Sequence, residues 1–548
     1  METGVTRFAT VFACVFVVGA AGMTAASAPA SAANPRPAAV AVGRSASPAG
    51  CARRKAAGIA RCYLAVQPAP APLHVTAAAA AAAPCPVDEA AGYTPCNLQN
   101  AYGLKKFSSK NGIGNTVAVV DPNDDPNAEA DLKVFRKTYG LPGCTTANGC
   151  FKKFNQNGVQ GSYPAPDANF AGEIALDIEM VSAICPKCHI DLVEANSAGL
   201  GDLGTAENEA VALGAKVVSN SWGSGEFAGE TGWDGDFDHP GVAITFSSGD
   251  GAYQGGVQYP SASPWVTSVG GTELTPAPTT TRGWTEAAWV TPGNNPPTQG
   301  SGSGCSSQEP KPSWQHDTGC AMRTTADVSA VAANVLSYNT YQSGGTWFYS
   351  FGTSVSSPII AAIYGLANNP SSITAPASVA YSAPVSARRD IVSGKTGNCT
   401  PTYLCKAAKG YDGPTGMGSP HGIGAFIVPG SPPPSISGVS FTGSPSSPTV
   451  TVSGSNFGSL PPIGSPETCN PGDTGDDFGS SGLSFNDANG GWTAGQAGDC
   501  IGLVLVSWGD SQVVYQFGNQ YPNYPAIAAG DPVTVQVQGA SFTGSLTN

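Results

Sequence analysis

The chain has 548 residues, only 11% of them charged, with 70 Gly, 46 Pro and a formal net charge of −13 at pH 7. At roughly 150 residues per domain this length suggests three or four domains, enough for a large buried core, and the Gly and Pro content requires many turns. The acidic balance excludes a phosphate-backbone binder, because no basic block offsets the repulsion. At the start, Arg7 precedes an apolar run from Phe8 to Ala21, and small residues follow as far as Ala30-Ser31-Ala32. That pattern predicts an export signal over residues 1–32, too short for a comfortable membrane span. No later segment has 18 unbroken apolar residues, so a secreted, soluble, monomeric protein is expected. Residues 33–97 are rich in Ala and Pro and read as a leader or short pro-segment rather than a packed domain.

From 98 to 428 short apolar strands alternate with helical stretches. The strands are expected at Thr116–Asp121, Ile190–Ala195, Lys216–Ser221, Val242–Ser247 and Trp265–Val269. Helices are expected at Asn169–Ile184 and Leu203–Leu213, the second capped by Asp202 and ended by Gly214. Such alternation predicts an α/β fold, a parallel sheet flanked by helices with its site at the carboxyl ends of the strands. A proline linker, 429–434, follows. Beyond it, over 435–548, period-two runs at Thr449–Val452, Gly502–Ser507, Val513–Phe517 and Val533–Val537 predict an all-β sandwich. Two phrases in this segment, Gly438–Gly443 and Gly539–Gly544, echo each other.

Of the 15 cysteines, Cys14 lies in the signal. The other 14 fall into seven neighbours: Cys51/Cys62, Cys85/Cys96, Cys144/Cys150, Cys185/Cys188, Cys305/Cys320, Cys399/Cys405 and Cys469/Cys500. Adjacent disulfides are the simplest expectation for an exported chain. Cys185-Pro186-Lys187-Cys188-His189 also matches the C-x-x-C-H pattern of haem attachment; the competing reading is a small disulfide at a helix-to-strand turn.

The strongest chemical signal is Gly352-Thr353-Ser354-Val355-Ser356-Ser357-Pro358 ahead of an apolar helical run. It puts Ser354 at a helix N-terminus, where amides face developing negative charge, and Pro358 in the first helical turn. Alone, the serine could equally be an ordinary cap. A serine nucleophile needs a base, and none of His74, His189, His239, His316 and His421 stands in an H-G-T context. In Gly172-Glu173-Ile174-Ala175-Leu176-Asp177-Ile178-Glu179-Met180, Glu173 and Asp177 share a helix face. Two carboxylates among apolar neighbours require solvent or partners.

The Ser354 motif resembles that of subtilisin-like peptidases. Taken with Glu173–Met180, Ser221-Trp222-Gly223, Ser247-Ser248-Gly249-Asp250 and Tyr259-Pro260 through Thr272, it resembles the sedolisins, the serine-carboxyl peptidases, over about 98–425. The resemblance implies a subtilisin-like fold and an endopeptidase acting on protein or peptide substrates. In it Ser354 is the nucleophile, Glu173 the general base, Asp177 its orienter, and Asp250 the oxyanion donor. Ser221, Trp222 and Gly223 would line the substrate cleft, although Trp222 reads equally as a core aromatic. The resemblance also implies calcium, held by the Asp390 and Asp412 carboxylates and the carbonyls of Ile391, Ala408 and Gly410. Three features depart from the family pattern: the short pro-segment, Phe351 before the motif where it could narrow the entrance, and Asp121 at the end of the first strand. Asp121 could join the acidic network or replace Asp177 as orienter. The segment after the linker resembles immunoglobulin-like IPT/TIG modules through Val450–Gly458, which implies docking to a surface or polymer. A catalytically silent exported binding protein on the same scaffold, and a subtilase using Asp121, are the competing readings.

Overall fold

The computed structural model describes residues 57–72, 85, 92–109, 111–112, 115–291, 293, 295–341, 344–367, 375–427, 434–457, 474–479, 482–496, 498–508 and 511–547. The elements that position the site are, in chain order, β1 (Arg61–Cys62), β2 (Ala65–Ala69), β3 (Thr116–Pro122), α1 (Ala128–Thr138), β4 (Phe151–Asn155), α2 (Ala168–Ile184), β5 (His189–Ala195), α3 (Leu200–Ala212), β6 (Val217–Asn220), β7 (Trp222–Gly225), β8 (Ala243–Ser247), β9 (Thr267–Ala277), β10 (Gly283–Ala288), β11 (Val328–Val331), β12 (Thr346–Phe351) and α4 (Thr353–Ala367).

Strand β3 shows why these residues form a sheet buried on both faces. Its side chains alternate, as pleating requires. Val117 and Val119 face a core with Ile174 and Leu176 of α2 and Ile359 and Ile363 of α4. Ala118 and Val120 face a second core with Leu203, Ala206 and Ala210 of α3. Apolar residues on both faces are the mark of a parallel sheet covered by helices. The eight-stranded sheet runs β10-β9-β8-β6-β3-β5-β4, with β11 beside β9. All its pairings are parallel except that of β10 with β9.

Helix α2 starts where Asp167 accepts hydrogen bonds from the amides of Asn169 and Phe170, and every residue from Phe170 to Ile184 is buried. Helix α3 differs from expectation at its start. It begins at Leu200 after Gly199, and Asp202 lies inside the first turn rather than at the cap. There its carboxylate accepts from Ser197 and Gln156, near the positive end of the helix dipole. Gly214 ends the helix with φ +98, a conformation that favours glycine. Between α2 and β5, Cys185 and Cys188 bond to each other. Their sulfurs are therefore spent, which overturns haem attachment and leaves His189 opening β5.

Four further adjacent pairs are joined: Cys85–Cys96, Cys144–Cys150, Cys305–Cys320 and Cys399–Cys405. Cys62 and Cys500 are disulfide-bonded as well; their expected partners, Cys51 and Cys469, lie outside the described residues, as do the signal segment and Pro429–Pro433. Among the described residues no helix is long and apolar enough to cross a membrane.

The C-terminal segment contributes β13 (Ser435–Ser444), β14 (Ser447–Ser455), β15 (Leu483–Asp487), β16 (Trp492–Ala494), β17 (Leu503–Trp508), β18 (Gln512–Phe517), β19 (Pro532–Val537) and β20 (Ala540–Ser545). They form two four-stranded antiparallel sheets, β13-β14-β18-β17 and β16-β15-β19-β20. Val450, Val452, Phe485, Trp492, Leu503, Tyr515 and Val535 share one core, the arrangement of a sandwich. The two echoing phrases fall on β13 and β20, the first and last strands.

Candidate active site

Helix α2 carries Glu173 and Asp177 one turn apart, both fully buried. Their neighbours Ile174, Leu176 and Ile178 belong to the core, so the carboxylates cannot turn to water. Asp121 is also fully buried, at the carboxyl end of β3. Burial, then the Asp177 and Asp121 charges, push Glu173 well above the usual carboxylate range, and the Ser354 hydroxyl pulls it back. Asp121 is raised by burial and then by Asp177 and Glu194. Asp177 is raised by burial and lowered by the Ser221 hydroxyl. Asp121 has no hydrogen-bond partner for either carboxylate oxygen among the described residues, and Glu173 feels the Ser354 hydroxyl without a well-formed hydrogen bond to it. Buried carboxyls this close share protons, so they titrate as one group. The structure thus brings Asp121 into the cluster beside Asp177.

The nucleophile candidate enters from the opposite helix. Ser354 is fully buried near the start of α4. The helix begins at Thr353, so Pro358 lies in its second turn and not in its first. A proline there cannot donate the helical hydrogen bond to the carbonyl four residues back, which is that of Ser354. The Ser221 hydroxyl reaches this carbonyl at 3.4 Å and donates to Asp177 Oδ1 at 2.9 Å. Ser354 Oγ in turn lies 3.4 Å from the Ser221 carbonyl. Ser221 therefore joins the serine's backbone to the carboxylate cluster.

Asp250 follows β8. Its Oδ1 accepts from the Thr353 amide at 2.8 Å and the Thr353 hydroxyl at 2.9 Å. Burial pushes the Asp250 carboxyl up to about 7, against those hydrogen bonds, so it carries a proton in acid. A Cβ on Gly352 would lie 2.6 Å from Asp250 Oδ2 and 1.9 Å from the Tyr63 carbonyl oxygen, and φ there is +126. Only glycine lets these groups approach.

Tyr63 belongs to the stretch expected to be an unpacked leader. Instead β1 pairs with β7, Arg61 opposite Gly223 and Cys62 opposite Trp222, and β2 pairs with β12. Trp222 answers to both of its readings. Its backbone lines this ladder, while its buried indole donates to the Val120 carbonyl at 2.8 Å and meets Phe246 edge-on. Phe351 turns aside to pack beside Trp289, Ala332 and Ala333. None of the described histidines hydrogen-bonds the cluster: His239 and His421 contact the Asp236 and Ser386 carbonyls.

The expected metal segments also meet. Both Asp390 oxygens accept from the Gly410 amide at 3.2 and 3.0 Å, and Asp412 Oδ2 accepts from the Ala408 amide at 2.9 Å. Burial pushes Asp412 up to about 7, with the Asp390 charge adding to it. Ile391 is buried beside Ala288 and Ala407. No cluster of three or more Asp, Glu, His or Cys that could hold a metal occurs among the described residues, so a site here relies on two carboxylates and backbone carbonyls.

Comparison with known proteins follows the same geometry. A model of the subtilase family matches residues 168–391, from the start of α2 to Ile391. Kumamolisin of Bacillus sp. (strain MN-32) is 27% identical over 362 residues, 60% of this chain and 62% of the relative. Xanthomonalisin of Xanthomonas sp. (strain T-22) is 35% identical over 184 residues, 30% of this chain and 21% of the relative. The chain thus spans about three fifths of one curated relative's length and about one fifth of the other's. The structure of Pseudomonas sedolisin, a serine-carboxyl proteinase complexed with pseudo-iodotyrostatin, aligns with TM-score 0.50 and 27% identity, covering 60% of this chain and 95% of that one. On sequence and fold, the α/β part of the chain is similar to the sedolisins and has a subtilisin-like fold.

Proposed function

We propose that the chain is a secreted, acid-active serine-carboxyl endopeptidase. The observation that supports this reading is that buried Glu173 has the Ser354 hydroxyl and the carboxyls of Asp177, Asp121 and Asp250 as neighbours. Ser354 Oγ attacks the peptide carbonyl and its proton passes to Glu173. Asp177, held by Ser221, shares the proton of Glu173, and Asp121 completes the shared set. The Ser354 amide and protonated Asp250 stabilise the oxyanion. Glu173 returns the proton to the leaving amine, and water then cleaves the acyl-enzyme.

A carboxylate base still accepts protons below about pH 6, where free histidine is mostly charged. Asp250 donates only while protonated, so activity should fall as pH rises through about 7. The disulfides suit an oxidising, extracellular setting. Calcium fits the oxygen donors of Asp390, Asp412, Ile391, Ala408 and Gly410; it supplies charge that holds the two loops together and takes no part in the chemical steps.

The test is a pH–rate profile on casein for the full chain beside Ser354→Ala. Hydrolysis near pH 4 that is lost above neutrality, and absent in the variant, is the expected result. A flat profile from pH 4 to 8, or an active Ser354→Ala, would overturn it.

A further inference from the structure

Residues 59–69 run extended past Ser354. The Ala60 amide donates to the Ala198 carbonyl at 2.7 Å, and the Leu200 amide to the Gly58 carbonyl at 3.1 Å. Arg61 and Cys62 continue against Gly223 and Trp222, and Ala65–Ala69 run antiparallel to Trp347–Phe351. Between the two ladders lies Tyr63. Its amide donates to Ser354 Oγ at 3.2 Å, and its carbonyl oxygen accepts from the Ser354 amide at 3.4 Å. This is how a peptide added to strand edges is presented, with the carbonyl of Tyr63 at the nucleophile.

The Tyr63 side chain is buried in a slot whose walls lack side chains. A Cβ on Gly223 would lie 2.8 Å from Tyr63 Oη, and one on Gly249 would lie 2.7 Å from Cγ of Gln258. At the end of the slot Tyr63 Oη donates to Gln258 Oε1 at 2.9 Å. The other end of that amide is already engaged: Gln258 Nε2 faces the carbonyls of Gly255, Gly256 and Val257 at 3.0, 2.9 and 3.1 Å. With its donors turned to the loop, Gln258 can present only an acceptor to the slot. Arg61 Nη2 also reaches Oε1, at 3.0 Å. Once residues up to Tyr63 have left, Arg61 is gone too, and a peptide residue without a hydroxyl would lack the one neutral hydrogen bond that a tyrosine makes to this acceptor, a loss on the order of tenfold.

We propose that Gln258 makes this cleft selective for tyrosine on the acyl side of the scissile bond, and that the chain's own Tyr63–Leu64 bond is the first one presented to it. The proposal rests on the peptidase reading above. In this step Ser354 Oγ bonds to the Tyr63 carbonyl carbon, its proton goes to Glu173, and the bond to the Leu64 nitrogen breaks as that nitrogen takes the proton. Water then releases residues up to Tyr63 as a free carboxylic acid and restores the Ser354 hydroxyl.

The test incubates the full chain at pH 4 and reads the new N-terminus by mass spectrometry, with Ser354→Ala beside it. The matured protein is then given paired peptides that differ only in Tyr or Phe before the cleaved bond. Expected are a new terminus at Leu64, absent in Ser354→Ala, and a kcat/KM about tenfold higher for the tyrosine peptide. Gln258→Leu should bring that ratio close to one. Equal rates on both peptides in the wild type, which needs no variant to fold, or a terminus elsewhere, would sink the proposal while leaving the peptidase reading intact. No hydrolysis of any peptide by the wild type would end both.

Discussion

At Asp250 the two carboxyl oxygens have different neighbours. Oδ1 is held by Thr353, while Oδ2 faces the same side of Gly352 as the Tyr63 carbonyl. An asparagine in that pose would keep the acceptor toward Thr353 and offer an amide donor that never titrates. Asp250→Asn is therefore expected to retain most of its activity at pH 4, within about tenfold, and to lose the decline through about pH 7. Asp250→Ala should cost about 10²–10³ in kcat, the usual effect of removing one oxyanion donor. Steady-state kinetics across pH 3–9 on both variants decides this; an unchanged alkaline limb in Asp250→Asn would assign the decline to the Glu173, Asp177 and Asp121 cluster instead. Pro358 works at the same scale. By lacking an amide hydrogen it leaves the Ser354 carbonyl to Ser221, so the motif's proline is tied to the nucleophile's surroundings and not to helix initiation.

Among the elements, α2 and α4 were legible in the sequence because their signals are local. Glu173 and Asp177 are one turn apart on an apolar helix, and the small residues before Ile359 announce a buried helix start. Strands β3, β5, β6 and β8 were found within a residue or two, since runs such as Val117–Val120 are apolar on both faces. The strand past Ser354 was not legible. Residues 59–69 sit in an Ala- and Pro-rich stretch, and their pairing partners lie far along the chain, so no periodicity marks them. Gln258 likewise gives no signal, because its role depends on three backbone carbonyls turning its amide. The Asp390 and Ala408–Asp412 loops belong to this scale as well. If calcium bridges them, chelation with EDTA should lower Tm. At a concentration 100 times Kd the bound ion contributes about 2.7 kcal/mol, a shift of roughly 4 °C for a domain of about 330 residues. An unchanged melting curve in EDTA would remove calcium from the account.

Beyond the site, several carboxyl groups of the α/β part are buried in raised-pKa environments. Burial pushes Asp125 up to about 7, Glu207 and Glu230 to about 8, and Glu194 to about 9. Glu309 is raised to about 8 by burial and then by Asp234 and Glu230. In the unfolded chain such groups ionise near about 4. Between that value and their folded pKa the native state holds more protons than the unfolded one, so stability falls as pH rises. The sign is fixed: stability from these groups is complete below about pH 4 and declines toward pH 8–9. Calorimetry should find a higher Tm at pH 4 than at pH 8, and the reverse order would contradict the burial of these carboxyls. The strand that runs past Ser354 has a consequence for kinetics. It is tethered to the nucleophile it covers, so its local concentration is set by chain connectivity and stays the same however far the sample is diluted. Unmasking would then follow a first-order clock, appearing as a lag in progress curves whose length is independent of how much protein is in the tube.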